Sequence, residues 1–140
     1  MSLAPGAELG PESFRITRAD LVRYAGASGD LNPIHWSDRV AMSVGLPGVL
    51  AHGMYTMALA GRAVESWLDD TQWVAEFSVR FTKPVLVPDD DSGTTVEVRG
   101  LVSDTTDGRT RIDLTVRCGE EKVLGMAKAF VETGGRTVDA

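Results

Sequence analysis

Residues 28–35, SGDLNPIH, hold a carboxylate at Asp30 and an imidazole at His35 on either side of Pro33. Histidine is the side chain whose ordinary pKa lies nearest neutral, so it takes a proton and returns it readily. An aspartate beside it can orient the ring or carry a second proton. Pro33 fixes its own φ and biases Asn32 away from helical geometry, which leaves few conformations to the chain between the two ionisable groups. Held in this way the pair can grip one water, and acid–base groups of this kind contribute about 10² to 10⁴ in rate. The same residues also have a purely structural reading: Asp30 and Asn32 are turn formers, and Pro33 suits a turn or the first position of a helix.

A second stretch has the complementary property. AHGM at 51–54 places Gly53 at the start of an apolar helical run. Free backbone N–H groups and the positive end of the helix dipole lie there. A glycine lets a ligand oxygen approach the backbone with no Cβ in the way. A plain helix start is the alternative. Joined to Asp30 and His35, Gly53 supplies an oxyanion site, worth about 10² to 10³ per donor; the three together suit enolate chemistry. Two histidines and one distant cysteine, Cys118, match no standard zinc spacing, and no metal is expected. His52 reads as a supporting or helix-start residue, and Trp36, Trp67 and Trp73 as core or interface anchors.

These groups need elements to hold them. Thr17 followed by Asp20 resembles a capping box opening RADLVRYAGASG, with Leu21, Val22 and Ala25 on its buried side and Gly26 and Gly29 ending it. Ser37 is a candidate N-cap for a short helix, DRVAMSVG, that closes at Gly45 before Pro47. A third helix runs from AHGM through YTMALAGRAVESWL. It is apolar nearly all round from Met54 to Gly61 and so predicted to be enclosed, with Met54 and Met57 packing on a sheet. From Gln72 the period changes to that of strands. WVAEFSVRF puts Trp73, Ala75, Phe77, Val79 and Phe81 on one side, and three further β-branched runs follow, with breaks at Asp107-Gly108 and Gly119-Glu120. Helical signals before strand signals indicate an α+β domain: a curved antiparallel sheet around residues 53–68, with Ala58, Ala60 and Gly61 allowing close approach. PDDDSGTT at 88–95 reads as a solvated acidic loop, and the tail after Thr133 as frayed.

The 140 residues suit one domain spanning 1–140. A formal charge of -6 argues against nucleic acid and anionic membrane as bulk partners. No run reaches the roughly 18 apolar residues of a membrane span, and the N-terminus carries no signal-peptide pattern. A single cysteine cannot pair within the chain and is expected to be a buried thiol, so a reducing, cytoplasmic setting is expected.

YAGASGDLNPIHWSD at 24–38 and AHGMYTM at 51–57 resemble the signature of the MaoC-like hydratases and dehydratases of the hot-dog fold. SW at 66–67 and EFSVRFTKPVLVP at 76–88 extend the likeness over most of the chain. Within the family it lies nearest the catalytic β subunits of mycobacterial (3R)-hydroxyacyl-ACP dehydratases. The resemblance implies a hot-dog fold and reversible hydration of trans-2-enoyl thioesters to (3R)-3-hydroxyacyl thioesters. Asp30 and His35 would activate the water, Asn32 would orient the loop, and the Gly53 N–H would hold the thioester oxygen. It implies no metal and no redox cofactor, with CoA or the phosphopantetheine of ACP as substrate carrier. It also implies a homodimer or a heterodimer with a related hot-dog subunit. Position 61 is Gly where some short-chain hydratases of the family carry Ser, which sets that residue apart from the catalytic group. Met54 and Met57 would at most line an acyl tunnel. Arg80 and Lys83 read as strand surface charge, or as a basic pair meeting a carrier phosphate or an acidic carrier protein. A catalytically silent hot-dog partner and a thioesterase are the competing readings.

Overall fold

The computed structural model describes residues 3–134. Five strands and three α-helices follow in the order β1 (Glu8–Ile16), α1 (Arg18–Ser28), α2 (Asp38–Ser43), α3 (Gly53–Ser66), β2 (Gln72–Phe81), β3 (Thr94–Thr106), β4 (Arg109–Cys118) and β5 (Glu121–Thr133), with a 3₁₀ turn at Pro33–His35 before α2. The sheet is antiparallel throughout, in the order β1-β3-β4-β5-β2. The β3–β4 turn is built on Asp107 and Gly108, both at positive φ, as a tight hairpin requires. The α+β expectation holds.

Helix α3 lies against this sheet, burying Leu59, Ala60, Ala63 and Val64 in one core with Val96, Val98, Ile112, Val116, Ala129 and Val131 from the strands. Trp67, at the C-cap of α3, is the largest fully buried side chain. Gly10 and Gly100 make room for it: a Cβ at Gly100 would stand 2.8 Å from the indole. The capping box of α1 is complete, with Thr17 and Asp20 each bonding the other's backbone N–H, and Gly29 ends the helix in the left-handed region. The loop at 88–95 turns on Asp90, whose carboxylate accepts from Ser92 and Gly93. Among the described residues no helix is long and apolar enough to cross a membrane.

Several expectations need correction. The first strand was not foreseen: Gly10 and Pro11 interrupt it, and its register shifts between Leu9 and Glu12, so its sequence reads as a turn although Glu12–Ile16 pairs regularly with β3. In β2 the register shifts at Val74/Glu76 and Ser78/Arg80 rotate the pleat, so Ala75 and Phe81 are exposed while Phe77 and Val79 pack on the core. Val22 faces solvent, not the core, because it follows Leu21 around the helix. α3 is enclosed on one side only: Met54 is 58% exposed and Ala58 is exposed, whereas Gly61 lies beside Phe77. Of the three tryptophans only Trp67 is a core residue; Trp36 is exposed and Trp73 half-buried. Cys118 is half-buried against the Thr94 hydroxyl. The tail beyond Gly134 lies outside the described residues.

Candidate active site

The loop after α1 is held by its own side chains. Asp30 N–H donates to Ser28 Oγ, Asn32 N–H to Asp30 Oδ1 at 3.2 Å, and Ile34 N–H to Asn32 Oδ1 at 3.2 Å. These nested turns, with Pro33 at the first position of the 3₁₀ turn, give the loop its fixed course. Asn32 therefore orients backbone and does not itself face the cavity described below.

His35 is buried, and its ring is oriented by one bond: Nδ1 lies 2.8 Å from the Leu50 carbonyl. A carbonyl only accepts, so Nδ1 carries the proton and Nε2 presents a lone pair. Nε2 stands 3.9 Å from Asp30 Oδ2. That gap exceeds a direct hydrogen bond and suits a shared water. Leu50 N–H in turn donates to Ile34 O, and Ala51 N–H to Val85 O. Residues 49–52 thus form a strap, pinned on both sides, that runs directly into α3.

Gly53 is the first residue of α3, and its N-cap, His52, supplies no side-chain cap. The N–H groups of Gly53 and Met54 have no protein acceptor among the described residues. A Cβ at Gly53 would stand 3.0 Å from the Phe81 ring, so any larger residue there obliges that ring to shift. A cavity of about 280 Å³ opens here, lined by His35, Gly53, Thr56, Phe81, Lys83 and Val85 among others. It brings His35, Gly53 and Lys83 together. Asp30 reaches its edge through the His35 contact, and Arg80, exposed on β2, is not part of its lining.

Two further buried polar residues stand here: His52, read from the sequence as a supporting or helix-start residue, and Thr56, given no role there. His52, 1% exposed, stacks on His35 with ring centroids 3.9 Å apart and meets Tyr24 edge-on. Its Nε2–H donates to the Asp30 carbonyl at 3.2 Å, and its Nδ1 is enclosed without a partner. Burial lowers its pKa below the ordinary 6.5 despite the Asp30 carbonyl, with His35 adding to the depression. Asp30, His35 and His52 offer ligand atoms within 4.8 Å of one another. A cation taking His52 Nε2 would first have to displace its bond to Asp30. Thr56, the other residue, lies deep in the cavity wall; a hydroxyl in an apolar run three residues after Gly53 was the signal for it.

Residues 2–123 match the family described as MaoC like domain, and the chain belongs to that family. It is 45% identical over 75 residues to 3-hydroxyacyl-thioester dehydratase X of Mycobacterium tuberculosis, covering 54% of this chain and 26% of that protein. It is 32% identical to a 3-hydroxybutyryl-CoA dehydratase of Methylorubrum extorquens, covering 78% of this chain and 68% of that one. A solved MaoC-like dehydratase superposes with a TM-score of 0.87 at 33% identity, over 94% of this chain and 41% of that chain. The chain therefore spans about a quarter of the first relative and under half of this structure. The solved HadBC (3R-hydroxyacyl-ACP dehydratase) complex of M. tuberculosis, at 18% identity and a TM-score of 0.70 over 91% of this chain and 96% of that one, shares the fold alone. The fold is the hot-dog fold.

Proposed function

We propose, with membership of the MaoC-like family as the premise, that this chain catalyses reversible addition of water to trans-2-enoyl thioesters, giving (3R)-3-hydroxyacyl thioesters. The observation that carries the reading is the His35–Leu50 bond, which aims an unprotonated Nε2 at Asp30 beside the free N–H groups of the α3 start. In hydration, water held between His35 Nε2 and Asp30 Oδ2 gives its proton to His35 as its oxygen bonds to Cβ. The electron pair of the Cα=Cβ bond moves towards the thioester oxygen, which accepts from Gly53 N–H. The enolate then takes a proton at Cα, delivered with the help of Asp30, and the pair returns to its starting protonation state. Hydroxide adds at Cβ and a proton at Cα. No electron is transferred, so the reaction needs no redox cofactor.

CoA or ACP is the carrier, and we favour a (3R)-hydroxyacyl-ACP dehydratase of fatty-acid or related synthesis in the cytoplasm. An (R)-specific enoyl-CoA hydratase is the alternative, supported by the likeness to the 3-hydroxybutyryl-CoA dehydratase. Lys83 lines the cavity and would meet a carrier phosphate, with Arg80 earlier in the chain at the end of β2. A second hot-dog subunit, identical or related, would cover the apolar groups left exposed around the site, Met54 and Phe81 among them.

Purified chain is mixed with trans-2-enoyl-CoA and trans-2-enoyl-ACP of several lengths, following loss of the conjugated enoyl absorbance. Wild type should turn over, with Asp30→Asn and His35→Ala each slower by about 10² to 10⁴. Release of free thiol would indicate a thioesterase instead. A wild type inert on both carriers, alone and with its partner subunit, would leave it a silent subunit.

A further inference from the structure

Thr56 lies three residues after Gly53 on α3, so helical geometry sets it on the same face, one turn along. It is 2% exposed and lines the cavity together with His35 and Gly53. Its hydroxyl has no hydrogen-bond partner among the described residues. A helical threonine ordinarily turns that hydroxyl back to the carbonyl three or four residues earlier. Here the carbonyl four residues back is that of His52, and it already accepts from Tyr55 N–H at 3.0 Å and Thr56 N–H at 3.2 Å. The hydroxyl oxygen is also not sealed in: among the described residues His52 Nδ1 is the one fully enclosed side-chain N or O atom left unpaired. The space that Thr56 borders is the cavity.

An unpaired hydroxyl in an apolar wall is destabilising, and valine would fill the same volume without that cost. Side chains on a helix lean towards its N-terminus, which directs this hydroxyl back over the Gly53 turn. We propose that the Thr56 hydroxyl is a second donor to the substrate's thioester oxygen, converging on it with the Gly53 N–H. The inference rests on the reading that this cavity takes an acyl thioester. As charge gathers on that oxygen during water addition, both bonds strengthen, so Thr56 acts on the transition state more than on binding.

The test uses two pantetheine thioesters, the part common to CoA and ACP substrates. Butyryl-pantetheine is saturated and cannot be hydrated, so the infrared stretch of its bound carbonyl reports polarisation alone. Wild type should lower that frequency; Thr56→Val should lose part of the shift and Thr56→Ser should keep it. With crotonyl-pantetheine, Thr56→Val should lower kcat by about 10²-fold, the loss typical of one oxyanion donor, with KM little changed. Should the valine chain not fold, Thr56→Ala removes the same hydroxyl. Equal carbonyl shifts and equal kcat in wild type and the valine or alanine variant overturn the proposal while leaving the hydratase reading intact. A wild type that neither binds the butyryl thioester nor hydrates the crotonyl one overturns both.

Discussion

Acidification probes the histidine pair directly. His52 gives its Nε2 proton to the Asp30 carbonyl and has no acceptor at Nδ1, so a second proton would bury an unpaired N–H⁺ beside His35. Burial is the main reason its folded-state pKa lies below 6.5. The unfolded chain binds that proton and the folded chain resists it. Stability is therefore full above 6.5 and falls as pH drops from 6.5 towards the lower folded value. If the folded ring stays neutral, the loss follows RT ln(1 + 10^(pKa − pH)), about 1.4 kcal/mol at about pH 5.5 against about 0.1 kcal/mol at about pH 7.5. His52→Gln keeps an amide N–H to reach the Asp30 carbonyl and removes the titration. Urea unfolding at the two pH values, at constant ionic strength, should show the wild type losing up to about 1.4 kcal/mol and the glutamine variant losing much less. Equal losses in the two proteins would refute the assignment to His52, as would a wild type equally stable at both values.

Gly53→Ala sets a Cβ against the Phe81 ring, which is 55% exposed and free to swing aside. Its melting temperature should hold or rise, because alanine favours the helix, while kcat/KM for an enoyl thioester falls by on the order of 10²-fold from the misplaced ring. Asp20→Ala removes the capping-box partner of Thr17 and should cost about 1 kcal/mol in neutral urea unfolding. The Asp20 carboxyl is held below its ordinary 3.8, chiefly by the Thr17 N–H, so that contribution is present above 3.8 and is lost as pH falls through the lower folded value. Trp67→Ala should cost about 3 to 5 kcal/mol, and Trp36→Ala about 0.5 kcal/mol or less, in the same measurement, since one indole is core and the other exposed.

What sequence revealed was local. The capping box, the Gly29 stop, the turn chemistry of 30–35 and the Asp107-Gly108 hairpin depend on residues within a few positions of one another, and each is found where residue type places it. The missed features depend on partners far along the chain. β1 exists because β3 accepts its ladder across the Gly10-Pro11 interruption, and no periodicity in residues 8–16 announces that. The faces of β2 depend on where β5 forces its register to shift. The His52–His35 stack joins a helix start to a turn 17 residues away in sequence, which spacing cannot express. Thr56 looked like an ordinary helical residue until the two donors at the His52 carbonyl were located.

The strap from Val49 to His52 explains how these distant parts keep a fixed relation. Leu50 binds the His35 turn through both its N–H and its carbonyl, Ala51 binds Val85, and His52 binds Asp30 and caps α3. The path from the imidazole to the Gly53 N–H therefore runs through a few backbone units, each tied to something else, and that wall has little freedom to shift. The facing wall, Phe81–Val85, leaves the sheet after Phe81, which pairs with Leu124: Thr82 bonds Val123 and Lys122, Val85 accepts from Ala51, and a bridge follows at Leu86. Under the proposed reaction the strap joins the His35 turn, with Asp30 beside it, to the Gly53 N–H, so this side handles protons and enolate charge while the facing wall meets acyl chain and carrier. Changes in the first would alter the rate for all substrates, and changes in the second would alter which acyl chains are accepted.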